Sequence, residues 1–197
     1  FLGVHEMIVI EKSSTADTRT CDVTKVSKET LLASSRQHIG DVGKAIAYFQ
    51  EMLTNAAVAH DYDKLTEIDH FYSDFQTKFE QQGWWTNHRR MHRHHLNYDD
   101  GIPEDVNLID ILEFIADCVM AGMARSGTVY PLQLKPGLLE KAFENTAKLL
   151  QSQVVVNGSQ PEDLTIYKQA MDSMAAQMVH PKMTGLEMAK TQLGMKP

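Results

Sequence analysis

Cysteine is scarce in this chain, with only Cys21 and Cys118 in 197 residues. Two thiols make neither a disulfide framework nor a thiolate zinc site, so a reducing, cytoplasmic setting is expected. No apolar run approaches the ~20 residues needed to span a bilayer, and the opening residues carry no signal-peptide pattern, so no membrane partner is expected. Basic charge is also short: 19 Lys and Arg stand against 26 Asp and Glu, a formal charge of −7. Duplex nucleic acid is therefore not an expected partner, because that affinity comes mainly from neutralising phosphates. There is no Gly-rich phosphate loop, internal repeat or low-complexity tract. What the chain does have is a 43% apolar share, enough for a core in one domain with an appendage. It also has nine histidines, seven of them between positions 38 and 95.

The apolar spacing is mostly helical. Met7-Ile8-Val9-Ile10 suits a short strand or extended arm, and the polar run from Lys12 to Asp22 reads as a loop, giving an arm over 1–26. From Ser27, a cap, residues Leu31, Ser35, His38, Ile39, Val42, Ile46, Phe49 and Leu53 recur at helical steps, which puts His38 on the inward stripe. A second helix is expected over Asn55 to Lys64, and a third carries Ile68, Phe71, Tyr72, Phe75 and Phe79 until Gly83. A fourth, Trp84 to Leu96, places His88, His92 and His95 at i, i+4 and i+7 on one face, with the tryptophans in packing roles. Asp100-Gly101 and Pro103 punctuate the chain before a fifth, nearly all-apolar helix over Glu104 to Arg125. A sixth runs from Gly137 to about Gln153. A seventh follows the Asn157-Gly158 turn, with a stripe of Met171, Met174 and Met178 that suits core packing or a homo-oligomer contact. The class is all-α, with about seven helices, a core over 27–128 and a helical extension over 129–197.

Between Leu108 and Met120 the fifth helix holds carboxylates only at Asp110, Glu113 and Asp117, steps of three and four that share one stripe. Such a stripe is either a solvated edge or a set of groups facing a metal, since burying charge otherwise costs several kcal/mol. Imidazole and carboxylate together suit divalent manganese, iron, nickel, cobalt or zinc. The adjacent His60-Asp61 supplies a second pair of candidate donors.

The order His38, His60-Asp61, Asp117 resembles the HD-domain superfamily of metal-dependent phosphohydrolases, named for its His-Asp doublet. His60-Asp-Tyr-Asp-Lys64 matches the His-Asp-x-x-Lys form of that doublet, and Asp117 follows an Ala inside an apolar helix, as the family's last ligand does, with Asp110 the runner-up. The stretch His94-His95-Leu-Asn-Tyr-Asp-Asp-Gly101-Ile-Pro103 is similar to the HD-GYP cyclic-dinucleotide branch. It departs from that branch in reading Gly-Ile-Pro and in the short spacing from His88 to His94-His95. A further likeness, over about 36–126, is to small HD-like proteins of phages and bacteria.

The resemblance implies an HD-like helical bundle binding one or two divalent ions through His38, His60, Asp61 and Asp117. His88 and either His94 or His95 would be available for a second ion. It implies a small phosphate-containing substrate such as a nucleotide, in the cytoplasm or, for a phage protein, the host cytoplasm. Asp61 would help to hold the attacking hydroxide, and Lys64 occupies the family's motif position. Glu113 is a candidate general acid/base or partner of the ligands, and Lys64, Arg19, Arg89 and Arg93 are candidate phosphate contacts, with Arg90 and Arg125 also basic. Two other readings stay open: an HD-fold di-iron oxygenase using the same histidines, and a non-catalytic phage-type factor that binds a nucleotide or a protein. His5, His70 and His180 have no partner pattern, and no thiol nucleophile is expected.

Overall fold

A computed structural model describes residues 7–13, 21–81 and 83–157. Among them the chain is mostly helical. Strand β1 (Ile8–Glu11) is followed by α1 (Lys28–Ala59), the single turn α2 (Asp63–Thr66), α3 (Ile68–Gln76), α4 (Trp84–Met91), α5 (Leu108–Ser126), α6 (Leu138–Ser152) and strand β2 (Val154–Asn157). Short 3-10 turns occupy Val23–Lys25 and Asp99–Gly101. None of the described helices is long and apolar enough to cross a membrane. The seventh helix, with its methionine stripe, falls outside the described residues, as does Arg19.

Two compact units divide the chain, one built from Glu51–Lys148 and the other from the described parts of Leu2–Gln50 and Leu149–Lys182. The division falls inside α1 and α6, whereas the sequence suggested loop boundaries near 26 and 128.

In the second unit β1 and β2 pair in parallel, Ile8 opposite Val154 and Glu11 opposite Asn157. The expected helical class holds, with this one short parallel strand pair added to it. Side chains of α1 reach the free carbonyls of β1, Lys44 Nζ at 2.8 Å from Val9 O and Gln37 Nε2 at 2.6 Å from Glu11 O. The expected inward stripe of α1 is largely exposed, with Ile39 at 69% and Ile46 at 52%, and His38 is exposed beside them.

In the first unit, Leu96, Val106, Ile111, Phe114, Leu138 and Ala142 form the core cluster. Burying a large apolar side chain of this kind contributes roughly 1.5–3 kcal/mol. Helix α5 starts at a capping box: Asn107 Oδ1 accepts from the Ile109 and Asp110 backbone N–H groups, and Asp110 Oδ2 accepts from Asn107 N at 2.8 Å. It therefore begins at Leu108 rather than Glu104. Thr146 of α6 accepts from Leu108 N at 2.8 Å, which fixes α6 against the start of α5.

Three departures from the expected helices shape the site. The first and second helices are one, α1, and it ends at Ala59 because Asp61 turns the backbone to φ 51°. Helix α3 ends at Gln76, before left-handed Lys78 and Phe79, and Gly83, at φ 74°, opens α4 rather than closing α3. There the buried Asp74 carboxylate accepts from Trp85 N at 2.9 Å, satisfying one of the unpaired first-turn donors. Helix α4 stops at Met91, and His92 is extended (φ −96°, ψ 119°), so His94 and His95 lie on the following turn rather than on a helix face. That turn packs against Gly101: a Cβ there would meet His95 O at 2.6 Å and Arg89 O at 3.0 Å, so only glycine permits the approach.

Candidate metal centre

Every donor of the site belongs to the Glu51–Lys148 unit. The break between α1 and α2 provides His60 and Asp61, and α2 provides Asp63 and Lys64. Helix α4 and its turn provide His88, His92, His94 and His95, and α5 provides Glu113 and Asp117.

Asp61 stands at the middle. Its Oδ1 lies 3.3 Å from His88 Nε2 and 3.4 Å from His94 Nε2, while its Oδ2 pairs with Lys64 Nζ and lies 3.5 Å from His60 Nε2. The two oxygens thus face different histidines. Burial works against the charged form of Asp61, but the contacts to His88 and Lys64 hold its carboxyl well below the usual range.

Two further carboxylates hold the far sides of the imidazoles. Asp63, 1% exposed, lies with Oδ2 2.8 Å and Oδ1 3.0 Å from His88 Nδ1, and its Oδ1 is also 2.8 Å from His92 Nε2. Glu113 Oε1 lies 2.9 Å from His60 Nδ1 and makes an ion-pair contact of 2.8 Å with His94 Nδ1. Burial raises Glu113, yet those two histidines outweigh it and bring the carboxyl down to about 2. The same Glu113 bond raises His60.

Several polar atoms are left over. Among the described residues, Asp61 Oδ1, His88 Nε2, His94 Nε2 and His95 Nε2 are buried without a hydrogen-bond partner. Burial, together with the neighbouring His94 and His88, lowers His95 to about 3, so its ring is neutral near pH 7. Unpaired buried polar atoms are rare and each calls for an explanation, and here they are the donor types that bind divalent transition ions.

Asp61, His88 and His95 each offer an atom within 4.8 Å of the others, as do His60, Asp61 and Asp117. In the first group His88 is buried and Asp61 and His95 are half-buried; in the second all three are half-buried. Asp63, His88 and His92 also cluster, but hydrogen bonds among them already satisfy that group. These groups of His and Asp could therefore hold a metal ion, with Asp61 common to both sets.

A cavity of about 480 Å³ adjoins the centre. Lys64, His94, His95, Asp117 and Arg125 contribute its polar lining, and Phe71, Phe75, Phe79, Trp85 and Tyr98 its aromatic lining.

Of the residues expected from sequence, the fold brings together His60, Asp61, Lys64, His88, His95, Glu113 and Asp117. His94, left as an alternative to His95, is present as well as it. His38 lies on the exposed face of α1, in the unit that holds Leu2–Gln50, and is in none of the donor groups found among the described residues. Arg93 is not a free phosphate contact, because its Nε and Nη2 lie 2.7 and 2.9 Å from the two oxygens of buried Asp110 and its Nη1 lies 3.0 Å from Asp105. Asp110, the runner-up ligand, is spent in that pair. Arg89 bonds Asp100 at 3.1 Å and lies over the Tyr98 ring at 4.4 Å, another structural engagement. Sequence reasoning missed Asp63, whose only signal was its place two residues after Asp61. No family model, curated protein or solved structure matches this chain.

Proposed function

We propose that this chain is a metal-dependent hydrolase of small phosphate esters, nucleotides foremost, on an HD-like helical scaffold. The observation that carries the reading is the set of orphaned, buried donor atoms on Asp61, His88 and His95 beside a cavity that also presents Lys64. The donor set fits one or two ions of manganese, iron, cobalt, nickel or zinc: Asp61, His88 and His95 would hold one, and His60, Asp61 and Asp117 a second, with Asp61 shared. His38, the first histidine of the HD pattern, is not among these donors, so the ligand set proposed differs from the family's.

When bound, a divalent ion supplies hydroxide at neutral pH and charge against the phosphoryl oxygens. The chain's own residues do the rest. Lys64 neutralises Asp61 in the resting site and is placed to meet a phosphate oxygen at the cavity wall; Arg125 adds a second cation to the same lining. Glu113 fixes the ring of His60 through Nδ1 and keeps its other nitrogen toward Asp61 and Asp117, at 3.5 and 3.8 Å. The aromatic lining offers flat apolar surface for a nucleobase to stack on and keeps water from that side.

The test is turnover of nucleoside mono-, di- and triphosphates by metal-loaded protein and by the Asp61→Ala variant. Loss of at least a hundredfold in the variant is expected, because the substitution removes the group common to both donor sets. Turnover unchanged in the variant would refute the assignment.

A further inference from the structure

We propose that Asp63 is a positioning residue of the metal centre, holding His88 in the one tautomer and ring orientation that turns its Nε2 lone pair toward Asp61. The inference rests on the reading of this cluster as a metal site and adds to it a residue outside the His-Asp-x-x-Lys pattern.

Asp63 opens α2 with its carboxylate almost fully buried, both of its oxygens within 3.0 Å of His88 Nδ1. An ionised carboxylate only accepts, so Nδ1 carries the proton and Nε2 of a neutral ring is left with its lone pair. Asp63 lies between two imidazole nitrogens, His88 Nδ1 and His92 Nε2, each 2.8 Å from one of its oxygens, the arrangement of an acceptor between two donors. Nε2 of His88 is buried, has no hydrogen-bond partner among the described residues and lies 3.3 Å from Asp61 Oδ1. The ring itself is locked: it is wholly buried and stacks on Trp84 and Trp85 at centroid distances of 4.7 and 5.3 Å.

His92 completes the arrangement from the other side. Its Nε2 lies 2.8 Å from Asp63 Oδ1, so it acts as a second donor to the carboxylate and keeps Asp63 from rotating away from His88. The four histidines on this short stretch differ in their neighbours: His88 and His95 present unpaired Nε2 atoms, His92 braces Asp63, and His94, whose Nε2 is also unpaired, stands between Asp61 and Glu113. A carboxylate behind a ligating imidazole fixes the tautomer and raises the basicity of the ligand, and removing such a partner typically weakens metal binding 10–100-fold.

The experiment uses the full chain, wild type and Asp63→Asn, with cobalt(II) and zinc affinities read by chelator competition. The expected result is an affinity roughly 10–100-fold weaker in the variant, with helical circular dichroism retained. Wild-type protein that binds the ions while Asp63→Asn binds them equally well overturns the role of Asp63 alone. Wild-type protein that takes up neither ion overturns the metal reading and this inference with it. Nitrogen-15 NMR of the zinc-loaded wild type gives a readout that needs no variant to fold: a proton on His88 Nδ1 with Nε2 bound to the ion supports the proposal, and a proton on Nε2 overturns it.

Discussion

Arg93 separates two readings of the basic residues near the site, and Arg93→Ala tests them. In the fold its guanidinium spans both oxygens of Asp110 at 2.7 and 2.9 Å and reaches Asp105 at 3.0 Å. Asp110 is 2% exposed, and burial raises its carboxyl above the ordinary value even with Arg93 in place. Removing one partner of a buried pair costs about 3–5 kcal/mol, because the remaining charge is left desolvated. The Arg93 side chain is itself 40% exposed, so water screens part of the loss and the expected cost falls to about 2–4 kcal/mol. For a chain of this length that lowers the melting temperature by roughly 5–15 °C. Urea titration and thermal melting followed by circular dichroism give both quantities. Arg93→Lys should recover only part of the loss, since one ammonium cannot reproduce the two-pronged bond. Arg93→Ala combined with Asp110→Asn should recover more, since the amide keeps an acceptor for Asn107 N without a buried charge. A variant Arg93→Ala with wild-type stability but a raised KM for a phosphate ester would refute the structural role and restore the phosphate contact expected from sequence.

Two further outcomes follow from the same geometry. Glu113 has a folded-state value of about 2 against an ordinary 4.5, so its contribution to the stability of the metal-free protein is complete above about pH 4.5 and is lost as pH falls toward 2. His60, raised by the same bond, contributes below its ordinary 6.5 and loses that contribution as pH rises through its folded value. Urea midpoints across pH 2–8 should therefore fall more steeply on the acid side for wild type than for Glu113→Gln; identical acid limbs would refute the coupling. His38→Ala should leave zinc affinity within about twofold in chelator competition, because His38 is exposed and outside every donor group; a tenfold loss would return it to the ligand set.

What the sequence made legible is what lies close together along it. The body of α5 and α6 was readable from period and spacing, Met7 to Ile10 suited a strand or an extended arm, and the HD resemblance rather than spacing linked His60-Asp61 to Asp117. The fusion of the first two helices was not readable, because the apolar spacing changes near Asn55 although nothing beside it breaks a helix. The early end of α4 was hidden because histidines at i, i+4 and i+7 keep helical spacing in the sequence whether or not the backbone stays helical. Strand β2 is a run of three valines after a helix, a pattern that periodicity cannot tell from a helical tail, and its partner lies at the other end of the chain. Charge gave the least information. Arg93 and Asp110 are 17 residues apart, and nothing in either position says that they neutralise each other.

Asp61 shows why the doublet needed more than its two side chains. At φ 51° its backbone is left-handed, a conformation that aspartate tolerates better than most residues and that still costs on the order of 1 kcal/mol or more. Had residue 61 stayed in the right-handed helical region, α1 would have continued toward α2 and its carboxylate would have stood on one helical face. The turn instead lets the carbonyl of Asp61 accept from Lys64 N at 3.0 Å while the carboxylate divides its oxygens, one toward His88 and His94 and one toward Lys64 and His60. The opposing gains are the Lys64 pair on one oxygen and the buried imidazoles around the other. Strain at this residue and unpaired donors around it point to the same place, and only the backbone angle explains how a single carboxylate comes to serve both donor groups.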